Sequence, residues 1–247
     1  MAMNEILMRQ LSLDYCCKKE DLLDRKNHFQ EHSFLSGRRR FQEGEKCFLK
    51  VAVVNGKLLF CGERGILSWC KERYGEETGA WFLEYKNLRE LDERLGKEGY
   101  QVEMAHPFFL AETMTEVPAS RYEITWYEGK EIEGFRGDTR FGEAYAFDPY
   151  APDVLGVSAM EGGKILGMAG ASADSETMWQ IGINVEQEAR GRGIGVLLVT
   201  LLKNEILRRG KLPFYGTSMS HLASQRVALA SGFQPAWAEL VTGKRDK

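Results

Sequence analysis

In the second half of the chain, apolar and polar positions follow strand and helix periods in a regular order. Val154-Leu155-Gly156-Val157-Ser158-Ala159-Met160 and Ile165-Leu166-Gly167-Met168-Ala169-Gly170-Ala171 are two apolar runs rich in small residues. Glu161-Gly162-Gly163-Lys164 between them is a tight-turn signal, so the pair predicts a β-hairpin. Met178 to Val185 predicts a third strand and completes an antiparallel meander. Val196 to Arg209 predicts an amphipathic helix, with Leu197, Leu198, Leu201 and Leu202 on a different face from Glu205, Arg208 and Arg209. Pro213 to Thr217 then reads as a short strand, and His221 to Phe233 as a helix stopped by Gly232.

The first half is patterned less regularly. Phe48 to Val54 and Lys57 to Cys61 flank Asn55-Gly56, a strong signal for a hairpin with a type I′ turn. Ile66 to Tyr74 predicts a helix, and Leu88 to Leu95 an amphipathic one stopped by Gly96 or Gly99. Tyr100 to Met104 predicts a strand. Ala105 to Ser120, holding Pro107 and Pro118, is the best linker. These signals divide the chain into an N-terminal α/β lobe, 1–115, and a second domain, 116–247. The helix-to-strand passage at Gly99-Tyr100-Gln101 echoes Gly232-Phe233-Gln234. A decayed second copy of one fold and an ordinary Gly-aromatic turn both account for that echo.

The chemistry concentrates at Arg190-Gly191-Arg192-Gly193-Ile194-Gly195, between the third strand and its helix. Backbone N–H groups in such a turn converge on one point, and the helix dipole adds partial positive charge there. Glycines let a ligand approach the backbone without a Cβ in the way. The dinucleotide fingerprint G-x-G-x-x-G fails, because its third glycine falls on Val196 or, one register on, Leu198. The P-loop fails for want of a Gly-Lys-Ser/Thr ending. The pattern present is R-x-x-G-x-G, after a strand and opening a helix.

That pattern in that context resembles motif A of the acetyltransferase (GNAT) superfamily, whose loop holds the pyrophosphate of coenzyme A. The order of three strands, helix, strand, helix and Gly-Phe is similar to the superfamily core over roughly residues 120–241. The block Gly170 to Glu176, followed by Met178 to Ile183, looks like a bacterial subgroup that includes the zwittermicin A resistance type. The resemblance implies an α/β (α+β) fold: a mixed, mainly antiparallel sheet flanked by helices, with the N-terminal lobe as an addition. It implies acetyl-CoA as co-substrate, held by Arg190, Gly191, Arg192, Gly193, Ile194 and Gly195. It further implies that the backbone of Ile183, Asn184 and Val185 pairs with the pantetheine, and that an N–H near Val185 polarises the thioester carbonyl. His221, where the family usually has Asn, and Ser224 are expected at the cofactor, with His221 also able to serve as a base.

A protonated amine must lose its proton before it attacks. Glu176 leads the candidate bases because it enters the strand beside the thioester; Asp174, Glu186 and then Glu143 follow. Each also reads as an exposed turn carboxylate. The tyrosine that often protonates the departing thiolate falls here on Ala228. A thiol pKa of about 8.5 lets the thiolate leave unaided, and Tyr215 or a water can substitute.

Composition narrows the partners. A net charge of −3 over 247 residues argues against a nucleic-acid or anionic-membrane surface. No apolar run is long enough to span a bilayer, and no signal peptide opens the chain. Five cysteines without a C-x-x-C pair point to a cytoplasmic protein. His28 and His32 have i, i+4 spacing but lack the Glu of H-E-x-x-H, so no metal site is expected. The leading expectation is an N-acetyltransferase acting on a primary amine of a small molecule. A protein or peptide acetyltransferase, and a non-catalytic acetyl-CoA-binding module, remain alternatives. The partners expected are the amine substrate and, as one option, a second copy of the chain in a homodimer.

Overall fold

The computed structural model describes residues 3–245. The chain forms two compact units, Met1–Phe108 with Ala236–Lys247, and Phe109–Pro235. The first opens with helix α1 (Glu5–Asp14), capped by the Asn4 side chain, which accepts from the Ile6 and Leu7 N–H groups. Helix α2 (Lys19–Leu23), strand β1 (His28–Glu31) and the hairpin β2 (Leu49–Val54) and β3 (Lys57–Gly62) follow. Asn55 and Gly56 both take positive φ, as a type I′ turn requires. Helices α3 (Arg64–Tyr74) and α4 (Tyr85–Gly96) precede strand β4 (Tyr100–Leu110). Every residue of β3 is buried, so it reads as one apolar run rather than an alternating one. Phe60 of β3, Tyr74 of α3 and Leu91 and Leu95 of α4 meet in one core.

Strand β4 runs further than the Tyr100–Met104 pattern predicts. Pro107 lies inside it, because proline's fixed φ is compatible with extended backbone, and Phe108, Phe109 and Leu110 are buried. The expected linker is therefore strand over its first third.

The second unit contains β5 (Glu123–Tyr127), α5 (Lys130–Glu133), β6 (Asp153–Glu161), β7 (Lys164–Ser172), β8 (Met178–Val185), α6 (Ile194–Arg208), β9 (Leu212–Gly216) and α7 (Leu222–Ala230). Strands β5 to β8 form an antiparallel meander, and β9 joins β8 in parallel. Gly162 and Gly163 take positive φ in the β6–β7 turn. Ile194, Leu198, Leu202 and Ile206 repeat at i, i+4 along α6 and are buried in the core with Leu155, Val157 and Ala169 of the sheet. The fold is thus mixed α/β with a mainly antiparallel sheet. No described helix is long and apolar enough to cross a membrane.

The last strand, β10 (Gln234–Lys244), returns to the first unit, whose sheet order is β1-β3-β2-β10-β4. Ala238 to Val241 pair antiparallel with Lys50 to Val53. This differs from the expected 1–115 and 116–247 division. The compact units break at Phe108, and β10 belongs with the N-terminal strands because its hydrogen bonds to β2 place it there.

Candidate active site

Strand β8 is paired with β7 along most of its length, from Ser172↔Gln180 to Gly167↔Val185. With β9 it pairs only over Met178↔Leu212 to Gln180↔Phe214. Beyond Gln180 the two parallel strands part, leaving one backbone edge of Ile181–Val185 without a strand partner among the described residues. An open edge of this kind is a template for an extended ligand carrying amide groups.

The chain leaves β8 through a short turn at Gln187–Ala189 and reaches α6 through the glycine loop. Gly191 and Gly193 adopt left-handed φ of 75° and 79°, which only glycine takes without strain. A Cβ at either would meet nothing within 4 Å, so both face open space. Gly193 is the N-cap of α6 and has no side chain to satisfy the first-turn N–H groups, which are left for a ligand. Gly195 has a different task. A Cβ there would lie 3.3 and 3.7 Å from the two Val227 methyls, so the glycine lets α7 approach α6 closely.

The two arginines of the loop diverge. Arg190 Nε donates to the Val185 carbonyl at 3.3 Å, tying the loop back to β8, and its side chain lines the cavity. The Arg192 side chain instead pairs with Glu161 at 2.9 Å and lies 5.8 Å from the Tyr122 ring centre. Its backbone stays in the loop, but its side chain is engaged away from the residues that line the cavity.

A cavity of about 690 Å³ joins these parts, lined by Ile183–Val185, the glycine loop, and Ser224 and Val227 of α7. His221 also lines it, from the N-cap position of α7, and its side chain makes no capping bond. Ser224 Oγ and Tyr215 Oη are 2.8 Å apart. Tyr215 is 2% exposed, and that burial pushes its hydroxyl above the ordinary tyrosine pKa while the Ser224 bond pulls the other way. Ala228, where the family often has tyrosine, lies wholly in the core.

The sequence carries little signal for what lines the other wall. Gly156, Gly170 and Gly182 stand in register across β6, β7 and β8. A Cβ at these positions would come within 1.6 Å of Tyr145 Oη, 1.9 Å of the Ala144 carbonyl and 1.7 Å of the Glu143 carbonyl, respectively. The three glycines form a trough in the sheet face, and residues 143–145 lie in it. Asn184 Oδ1 locks that segment by accepting from the N–H groups of Glu143 and Ala144, both at 2.9 Å. Glu143 is thereby set in the cavity wall beside Ile183–Val185. No ion pair holds its carboxylate among the described residues.

The other candidate bases lie elsewhere or are engaged. Glu176 is exposed just before Met178, at the opposite end of β8 from Val185, and is not brought to the cavity. Asp174 is 4% exposed and accepts from Ser172 Oγ at 2.6 Å. Glu186 lines the cavity but faces Arg140 at 3.5 Å. Glu188 is paired with Lys164 at 2.9 Å.

The family model for the acetyltransferase (GNAT) family matches residues 111–233. Among solved structures, a GNAT-family protein from Novosphingobium aromaticivorans is 17% identical, with 60% of this chain and 69% of that one covered and a TM-score of 0.44. An N-acetyltransferase of the same type from Kribbella flavida is 18% identical over 65% and 64%, TM-score 0.45. An N-acetyltransferase-like protein from Streptococcus suis is 14% identical over 79% and 84%, TM-score 0.48. No curated protein matches the chain.

Proposed function

We propose, from the premise that residues 111–233 belong to the acetyltransferase (GNAT) family and use acetyl-CoA, that this chain acetylates the primary amine of a small molecule. The observation that carries the choice of acceptor is the state of the carboxylates from 174 to 188. A basic peptide tail calls for an open acidic groove. Here Asp174 is buried, Glu186 faces Arg140 and Glu188 is paired with Lys164, which leaves only Glu176 exposed and unengaged. Inside the cavity the free carboxylate is Glu143, enough for one amine.

The first-turn N–H groups of α6 and the Arg190 side chain suit the pyrophosphate, and Ser224 and the open edge of β8 suit the pantetheine arm. The residues present therefore fit the co-substrate. A backbone N–H near Val185 is the donor for the thioester carbonyl oxygen, where fixed donors stabilise developing charge most effectively. Glu143 takes the proton from the amine, directly or through a water, in place of the expected Glu176. The amine nitrogen bonds to the acetyl carbon, the carbon–sulfur bond breaks, and the thiolate receives a proton from Tyr215 by way of the Ser224 hydroxyl, which lines the cavity. Burial keeps Tyr215 protonated, and Ser224 orients its hydroxyl.

Thiol release from acetyl-CoA, measured with a panel of small primary amines and a panel of lysine-rich peptides, tests the acceptor. Turnover with small amines and none with peptides supports this reading. Turnover confined to peptides would replace it.

A further inference from the structure

Outside the acetyl-transfer site, the first unit gathers Cys16, Cys61 and Cys47, with the Arg38 charge near Cys16 and Cys47. Cys16 follows α1 and takes a left-handed φ of 53°, unusual for a residue with a side chain. Its sulfur accepts from the Ser33 N–H at 3.4 Å and the Ser33 hydroxyl at 3.5 Å, and Ser33 follows β1, which runs beside β3 with Gln30 opposite Cys61 and the His32 N–H on the Gly62 carbonyl at 2.9 Å, so the Cys61 thiol neighbours Cys16. As a neutral thiol Cys16 donates to the Ser33 carbonyl, at 3.5 Å. The two bonds donated by Ser33 favour the anion.

The charge nearby has the same sense. Arg38 is 7% exposed, and its Nε is buried without a hydrogen-bond partner. Its Nη1 lies 2.5 Å from His32 Nε2, and burial and Arg38 together push His32 below the ordinary histidine pKa, so the ring accepts. The Cys61 hydrogen bond, the Ser33 donors and Arg38 bring the Cys16 thiol down to about 5 against its burial. The neighbouring thiols go the other way. The bond to Cys16 and burial raise Cys61 far above a normal thiol, and burial with Asp21 raises Cys17 to about 12. Burial also raises Cys47, whose thiol donates to the Cys61 carbonyl at 3.8 Å. Lys50 adds positive charge to Cys47 and Cys61.

We propose that Cys16 and Cys61 form an oxidisable dithiol, with Cys16 the thiol that attacks hydrogen peroxide and Cys61 the resolving thiol. Cys16 is half-exposed whereas Cys61 is buried, so an oxidant from solution meets Cys16 first. The Cys16 thiolate attacks one peroxide oxygen. The oxygen–oxygen bond breaks, the sulfur loses two electrons to become a sulfenic acid, and the leaving oxygen takes a proton as water. The Cys61 sulfur then attacks the oxidised sulfur. A sulfur–sulfur bond forms, the sulfur–oxygen bond breaks, and the hydroxide leaves as water with the Cys61 proton. Two thiols and one peroxide give one disulfide and two waters.

The test uses the reduced full chain, treated with hydrogen peroxide at neutral pH, quenched with N-ethylmaleimide and mapped by mass spectrometry. A Cys17→Ser variant is mapped alongside, since Cys16 and Cys17 share one peptide. We expect a Cys16–Cys61 cross-linked peptide in both proteins. Cys16→Ser should remove it and slow peroxide consumption by roughly tenfold or more. Cys61→Ser should leave Cys16 as a sulfenic acid that dimedone labels; if that variant does not fold, the wild-type map decides alone. Cys16 recovered fully alkylated, oxidised without a disulfide, or cross-linked to Cys17 or Cys47 would overturn the pairing.

Discussion

Each unit contains a parallel-paired strand that passes into a helix, β3 into α3 in the first and β8 into α6 in the second, and these two passages end differently. In the first unit, β3 pairs with β1 through its last residue, Glu31↔Gly62, and α3 begins after the single residue Glu63. In the second unit, β8 loses its parallel partner at Gln180, five residues before its end, and eight residues separate Val185 from Ile194. The first passage is closed: no edge is open and no loop precedes the helix. The second is open on both counts, and its loop holds two left-handed glycines. A strand followed by a helix is not a binding site by itself. It becomes one where parallel pairing stops early and glycine frees the helix N-terminus.

The largest effect is expected from the wall facing that opening. Glu143→Gln should lower kcat by about 10²–10⁴ if its carboxylate takes the amine's proton, with acetyl-CoA affinity unchanged. An unchanged kcat would remove Glu143 from the mechanism. Next is Gly193→Val, which puts a β-branched side chain at φ 79°, where strain costs about 1–3 kcal/mol. Acetyl-CoA should bind at least about tenfold more weakly, read as loss of ligand-induced thermal stabilisation with the fold retained.

Tyr215→Phe should cost only a few-fold in kcat, roughly fivefold at most, because the thiolate is a tolerable leaving group unaided. The sign of its pH dependence follows from burial. A pKa raised above the ordinary tyrosine value keeps the proton on through neutral pH, so Tyr215 should contribute no alkaline fall in rate below about pH 10. The smallest effect is expected at Arg192, whose side chain is engaged by Glu161. Arg192→Ala should leave acetyl-CoA affinity within about twofold, since a surface pair is worth little. A large loss would mean that Arg192 leaves Glu161 for the phosphates when ligand binds.

Local pattern revealed the elements that depend on local pattern. The Asn55-Gly56 hairpin, the β6–β7 hairpin and helix α6 follow from neighbours in sequence, and the helix begins only two residues earlier than its apolar period indicates. Gly191 and Gly193 were legible as an open loop, whereas Gly195 reads identically in sequence yet serves helix packing. Glu143 ranked last among the candidate bases because what sets it in the cavity wall is non-local. Gly156, Gly170 and Gly182 each look like a weak point in a strand, and only the register across three strands turns them into a trough. Glu176 was favoured by adjacency to β8, but adjacency did not say which end of the strand faces the loop. The placement of β10 was equally illegible, since its partner β2 lies almost two hundred residues earlier.

The contrast between the two passages is tested most directly by amide hydrogen exchange with and without saturating acetyl-CoA. Residues 181–196 should gain the strongest protection, with 215–227 also slowed. At about a hundred times the dissociation constant, amides that open only from the free form should slow by roughly a hundredfold. Residues 57–75, around β3 and the start of α3, should be unchanged. Protection at 57–75 equal to that at 181–196, or none at 181–196, would contradict the assignment of the opening beside β8 as the acetyl-CoA site.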